Sequence, residues 1–155
     1  MEQPLISLAT PDQFPALVTL FEAQLLEHGI HSSVDALMDT CQLIHNHSEY
    51  GFILVATRDG LIVGVAYASS VLSLEHGGWS GWLDELYVLP EWRGHGIGTR
   101  LLDAVITGAI ERGWIALDLE VDIGHQRAVS LYASRGFQPV HRSRLVRNLY
   151  DEPEA

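Results

Sequence analysis

One junction constrains this chain more than any other. Residues 83–88 read Leu-Asp-Glu-Leu-Tyr-Val, and a short step later come Arg93-Gly94-His95-Gly96-Ile97-Gly98, directly before an amphipathic run. A strand, a Gly-rich turn and a helix start together form an anion cradle. Unpaired amides at a helix N-terminus point outward, and the helix dipole favours negative charge there. Glycine lets the backbone turn tightly and approach a phosphate closely. The junction therefore implies a phosphorylated ligand.

The rest of the chain reads around that junction. Residues 5–9 suit a short strand and residues 11–27 a helix with Phe14, Leu17, Val18, Phe21 and Leu25 on one face. Ser32 or Ser33 can cap a second helix carrying Val34, Leu37, Met38, Cys41 and Ile44. Residues 52–57 and 61–70 flank Asp59-Gly60, a hairpin signal. Residues 75–80 read as a Gly-rich loop, 81–88 as a strand and 99–112 as a helix. Residues 115–121 alternate apolar and acidic side chains, as a half-buried strand does. A short helix over 126–134, a strand over 140–149 and an acidic tail over 151–155 complete the reading.

The early hairpins require antiparallel pairing, while the strand–helix–strand passage after Gly81 requires a parallel crossover. The expected fold is α/β (α+β): one mixed, mostly antiparallel twisted sheet with helices on both faces. With 155 residues the expectation is a single domain over 1–155.

Two familiar phosphate sites fail by letter. The dinucleotide pattern G-x-G-x-x-G finds Thr99 at its third glycine. A Walker-type loop needs lysine, and all nine basic residues are arginine. The absence of lysine also excludes a Schiff-base lysine. What remains is Arg93-x-x-Gly96-x-Gly98.

That motif, within Leu86-Tyr87-Val88-Leu89-Pro90-Glu91-Trp92-Arg93-Gly94-His95-Gly96-Ile97-Gly98, resembles the acyl-CoA signature of the GCN5-related N-acetyltransferase (GNAT) family. A second passage resembles the family downstream: Ala128-Val129-Ser130-Leu131-Tyr132, then Arg135-Gly136-Phe137. Two passages at the right separation, in a matching order of elements, make the resemblance specific.

The resemblance implies acetyl-CoA as co-substrate and no metal. The backbone of Leu86, Tyr87 and Val88 would pair with the pantetheine amides like an added strand. The amides of Arg93, Gly94, His95, Gly96, Ile97 and Gly98, with Thr99 beside them, would hold the pyrophosphate. A bulge in the strand carrying Leu86 would part it from the strand over 115–121 and admit the cofactor. The family commonly carries Asn three residues before the Ala of the second passage; this chain has His125. Imidazole offers its donor and acceptor on separate ring nitrogens, so that pantetheine contact changes.

Acetyl transfer to an amine needs a proton acceptor, a stabilised oxyanion and a proton donor for the leaving thiolate. The resemblance gives Tyr132 the role of acid. Asp84 and Glu85 are adjacent, so a regular strand sends them to opposite faces and a bulge can exchange them. Glu85 is the leading base. Glu120, twelve residues before Tyr132, is the second, with a spacing like that of protein N-terminal acetyltransferases. Cys41 lies on an apolar helix face and reads as core. His45 and His47 on a helix would point apart, so they do not read as a metal pair. The resemblance also implies that the loops and helix ends carrying Glu27, His28, His31, Glu75 and Trp79 border the acceptor, which makes these residues candidates for its contacts.

A net charge of −11 argues against a nucleic-acid partner and favours a cationic one. No apolar run approaches the ~20 residues that a membrane span needs. The N-terminus lacks the pattern of a secretion signal, and a single cysteine fits the cytoplasm. The expected activity is transfer of acetyl to the primary amine of a small cationic molecule by direct attack in a ternary complex. The alternatives are a domain that binds acyl-CoA without turnover and a protein N-terminal acetyltransferase. A homodimer is compatible with all three.

Overall fold

The computed structural model describes residues 2–122 and 124–150. The chain divides into two compact units, 1–120 and 121–155.

The first unit holds a five-stranded sheet in the order β1-β2-β3-β4-β5. The strands are β1 (Leu5–Leu8), β2 (Gly51–Arg58), β3 (Leu61–Ser73), β4 (Gly78–Val88) and β5 (Leu117–Leu119). The first four pair antiparallel, and β4 pairs with β5 in parallel. Helix α3 (Ile97–Glu111) makes the crossover between the parallel strands. The mixed sheet expected from the hairpins and the crossover is therefore present.

The first two helices start where the sequence provides a start. A 3-10 turn at Pro11–Gln13 leads into α1 (Phe14–Glu27). Ser33 caps α2 (Val34–Asn46), its hydroxyl accepting from the Ala36 N–H at 3.3 Å. Phe14, Leu17, Val18 and Phe21 of α1 pack with Cys41 and Ile44 of α2 against Ile53, Val55, Val65 and Tyr87 of the sheet. The opposite face meets α3. A Cβ on Gly64 would lie 3.0 Å from Leu101, and one on Gly108 would lie 2.9 Å from the Phe52 ring. Helices thus cover both faces, as expected.

Several element ends move by one to three residues, β3 running on to Ser73 and α3 starting at Ile97, and three departures from the sequence reading matter more. The Gly-rich stretch over 75–80 is only partly a loop, because β4 begins at Gly78 and residues 78–80 pair with β3. The strand expected over 115–121 shrinks to Leu117–Leu119, since the ladder to β4 has only those three rungs. Residues 140–149 form no strand: their alternation is poor, and Val140, Leu145, Val146 and Leu149 are all exposed. In the second unit, α4 (Gln126–Ser134) falls where the sequence places it. The tail over 151–155 lies outside the described residues.

Candidate active site

The site begins with one extra residue in β4. Ala68 pairs with Leu83 and its neighbour Tyr67 pairs with Glu85, so Asp84 is a bulge. In a regular strand Leu83 and Glu85 would share a face. Here they oppose the adjacent residues Ala68 and Tyr67, which face opposite ways. Leu83 stays in the core on the α3 side, while Glu85 turns to the α1–α2 side in line with Tyr87.

The same bulge ends the parallel ladder. β5 pairs with residues 81–83 and stops at the Leu119–Leu83 rung. Residues 85–88 keep β3 along one edge, and among the described residues no strand occupies the other. An open strand edge can pair with an extended ligand carrying amides. Glu120 follows the last rung on the β5 side and is exposed, as Asp84 follows it on the β4 side.

Glu85 is half-buried, and its carboxyl is pushed up to about 7, first by burial and then by the Asp84 charge. A carboxyl there is half ionised near neutrality, which suits a general base. The opposed Tyr67 hydroxyl is also raised, by burial first and Asp84 next. On the buried stripe of α1, Gln24 is only 7% exposed, and its Oε1 has no hydrogen-bond partner among the described residues.

Beyond β4 the chain makes a 3-10 turn at Pro90–Trp92 and enters the glycine loop. Gly94 and Gly96 sit at φ +81° and +79°, the left-handed region that side chains disfavour. Gly96 is the N-cap of α3 and brings no capping side chain. The first-turn amides of Ile97, Gly98 and Thr99 thus have no partner within the helix. A Cβ on Gly94 or Gly96 would meet no atom within 4 Å, so the space before the loop is open. His95 is exposed, whereas Ile97 is 2% exposed and anchors the helix start in the core. An open, amide-lined and uncapped helix start fits a phosphate group.

Arg93, at the head of the loop, is held in place. Its Nε donates to the Val88 carbonyl at 2.8 Å, and its Nη2 lies 3.4 Å from Glu27 Oε1. The guanidinium sits over the Tyr87 ring, 5.2 Å from its centroid. Tyr87 donates its hydroxyl to the same Glu27 oxygen at 3.1 Å. The Val88 carbonyl, expected to serve the pantetheine, is therefore already engaged by Arg93.

Tyr132 and His125 belong to the second unit. Tyr132 lies on α4, half-buried and edge-on to Phe137 at 5.8 Å. Burial raises its hydroxyl above the ordinary tyrosine range, so it stays protonated. His125 is exposed at the N-cap of α4, and its side chain makes no capping bond.

Other candidates take ordinary places. Cys41 is 3% exposed with its thiol pushed up by burial, which leaves it unreactive. His45 lies edge-on to Phe14, and His47 lies 3.4 Å from Glu49. Among the described residues no group of three metal-ligating side chains occurs. Sequence reasoning missed the His76–Asp118 pair, at 2.8 Å across 42 residues, because no local pattern links them. It also missed the contact of Glu27 with Arg93 and Tyr87. One signal existed: an acid as the last residue of a helix opposes the helix dipole.

The family model for acetyltransferases of the GNAT family matches residues 14–137. The aminoalkylphosphonate N-acetyltransferase of Salmonella typhimurium (strain LT2) is 31% identical over 132 residues, covering 75% of this chain and 86% of that one. Among solved structures, an integron cassette protein from the mobile metagenome of Cole Harbour Salt Marsh superposes with a TM-score of 0.82 at 26% identity, over 95% of this chain and 91% of that one. An aminoglycoside N-acetyltransferase in complex with CoA superposes with a TM-score of 0.81, covering 97% and 98%. At 18% identity that last likeness speaks for the fold alone.

Proposed function

The chain belongs to the acetyltransferase (GNAT) family, and from that premise we propose that it moves acetyl from acetyl-CoA to the primary amine of a small cationic molecule, by direct attack in a ternary complex. The observation that carries this reading is the bulge at Asp84, which turns Glu85 inward just where the edge of β4 opens. The family match covers residues 14–137 and so takes in parts of both compact units, which favours residues 1–155 working as one domain.

Acetyl-CoA supplies an acetyl group activated as a thioester. The Arg93 N–H already donates to the Pro90 carbonyl at 3.3 Å, so the amides of residues 94–99 would hold the pyrophosphate, and the open edge of Leu86, Tyr87 and Val88 would align the pantetheine arm. Because Arg93 already engages the Val88 carbonyl, Leu86 is the better placed to make the first such bond. Glu85 takes the proton that the ammonium must lose before it can attack. A backbone N–H of β4 near Leu86 or Val88 stabilises the oxyanion. Tyr132, protonated at neutral pH, donates to the departing thiolate. Glu120 is the alternative to Glu85 as base. The net charge of −11 supports a cationic acceptor. Named relatives act on amines of several kinds, so the acceptor within that class is left to experiment.

A second reading, binding without turnover, draws on His125 at the position where the family commonly has Asn. Calorimetry with CoA and acetyl-CoA, followed by thiol release across an amine panel, separates the two. Micromolar binding with turnover supports transfer, and binding without turnover on any amine supports a sensing domain. Failure to bind either ligand removes both.

A further inference from the structure

We propose that Glu27 is a positioning residue for the donor: its carboxylate occupies the Arg93 guanidinium, and donor phosphate takes that place on binding. The proposal rests on the reading of residues 93–99 as a pyrophosphate cradle.

Glu27 is the last residue of α1, where the negative end of the helix disfavours an acid. The helix gives no reason for a carboxylate there; the tertiary contacts do. One oxygen, Oε1, receives the Tyr87 hydroxyl from β4 at 3.1 Å and Arg93 Nη2 from the glycine loop at 3.4 Å. The two bonds tie the end of α1 to the end of β4 and to the first residue of the cradle.

The two ends of the guanidinium are held unequally. Nε bonds the Val88 carbonyl at 2.8 Å, and the cation lies over the Tyr87 ring. Those contacts fix the guanidinium beside the strand. Among the described residues the Nη edge is held by Glu27 alone, at the long limit of a hydrogen bond, between side chains 46% and 48% exposed. Such a pair is weak and screened by salt. A phosphate offers the planar fork two parallel charge-assisted bonds and a larger negative charge. Exchange from carboxylate to phosphate therefore runs downhill, without loss of the Nε anchor. Until it occurs, Glu27 competes with the donor for the Nη edge. It also keeps that edge ordered.

Removing the competitor should tighten donor binding, and only while Arg93 is present. Calorimetric titration with coenzyme A reads this directly. Glu27→Gln keeps an oxygen for the Tyr87 hydroxyl and removes the charge; its Kd should fall about 3–5-fold, and the gain should shrink in high salt. Glu27→Asp keeps the charge but withdraws it by one methylene, and should tighten binding to a smaller extent. In the Arg93→Gln background, Glu27→Gln should change the Kd by less than about twofold. Glu91→Gln removes the same charge from the neighbouring turn and should also stay within about twofold.

Unchanged or weaker binding in both Glu27 variants overturns the proposal. So does an equal gain in Glu91→Gln or in the Arg93→Gln background, since either means bulk charge rather than a shared partner. If the wild-type chain fails to bind coenzyme A, the cradle reading falls as well. Wild-type binding with an unmoved Glu27→Gln removes the Glu27 role alone.

Discussion

Glu85 owes its state to two neighbours, the core around it and the charge of Asp84 beside it. Both favour the neutral acid, and together they raise its titration to about 7. An acid whose folded value lies above its unfolded value favours the fold below the unfolded value and loses that contribution as pH rises through the folded one. The window here runs from 4.5 to about 7. Glu85→Gln should therefore be the more stable protein at pH 8. A reduction of the full shift for partial solvent screening gives about 1–2 kcal/mol. The gain should vanish below pH 4.5; denaturant melts at both pH values check it. Activity should move the other way. The same variant should lose about 100-fold or more in turnover, together with the limb of the pH–rate profile that rises near 7. A variant that keeps both the rate and the limb would transfer the role of base to Glu120. Tyr132→Phe should lower turnover while acetyl-CoA affinity stays within about twofold, because a hydroxyl used late in the reaction contributes little to ground-state binding.

At the scale of elements, the cradle depends on backbone shape more than on empty space. A Cβ at Gly96 meets nothing within 4 Å, yet φ there is +79°. Gly96→Val forces a β-branched residue into the left-handed region, at roughly 1–3 kcal/mol, or else moves the helix start. Its affinity for CoA should fall by at least about tenfold. Gly98 has an ordinary φ, and its Cβ would rest 3.8 Å from Val88. Gly98→Ala should therefore bind within about twofold of wild type. Titration of both variants distinguishes a shape requirement from a general need for small residues. The strand before the cradle carries its own constraint. A Cβ on Gly81 would lie 2.2 Å from the Trp114 ring, so the glycine lets the indole cover the rung that joins β4 to β5.

For the whole molecule, charge is the relevant variable. The chain carries −11 with nine arginines and no lysine. Long-range attraction to a cationic acceptor is screened within a Debye length. If the acceptor is cationic, kcat/KM for it should fall several-fold between about 20 and 200 mM salt. A neutral amine at matched pH should show a flatter dependence. An equal slope for both would remove the charge argument for the acceptor class.

Much of this molecule was legible before any coordinates. A 3.6-residue period marks α1 and α3, because each has one dominant buried face, whereas β2 and β3 read as apolar runs either side of Asp59-Gly60, because helices bury both of their faces. Glycines at a strand–helix junction mark the cradle, because a left-handed turn and a close anion both select glycine. Residues 140–149 read as a strand that the structure lacks, since strand pairing depends on a partner edge and not on local propensity. The orientation of Glu85 was equally out of reach. Adjacent acids at Asp84 and Glu85 present both faces of a strand, and only register against β3 reveals which residue is the bulge. Contacts such as Glu27 with Arg93 and His76 with Asp118 join residues far apart in the chain. The sequence by itself determined most of the elements and the glycine turn between β4 and α3, because those rest on local sterics and periodicity. Tertiary structure alone decided which carboxylate turns inward and what holds Arg93, because register and long-range packing are properties of the assembled sheet.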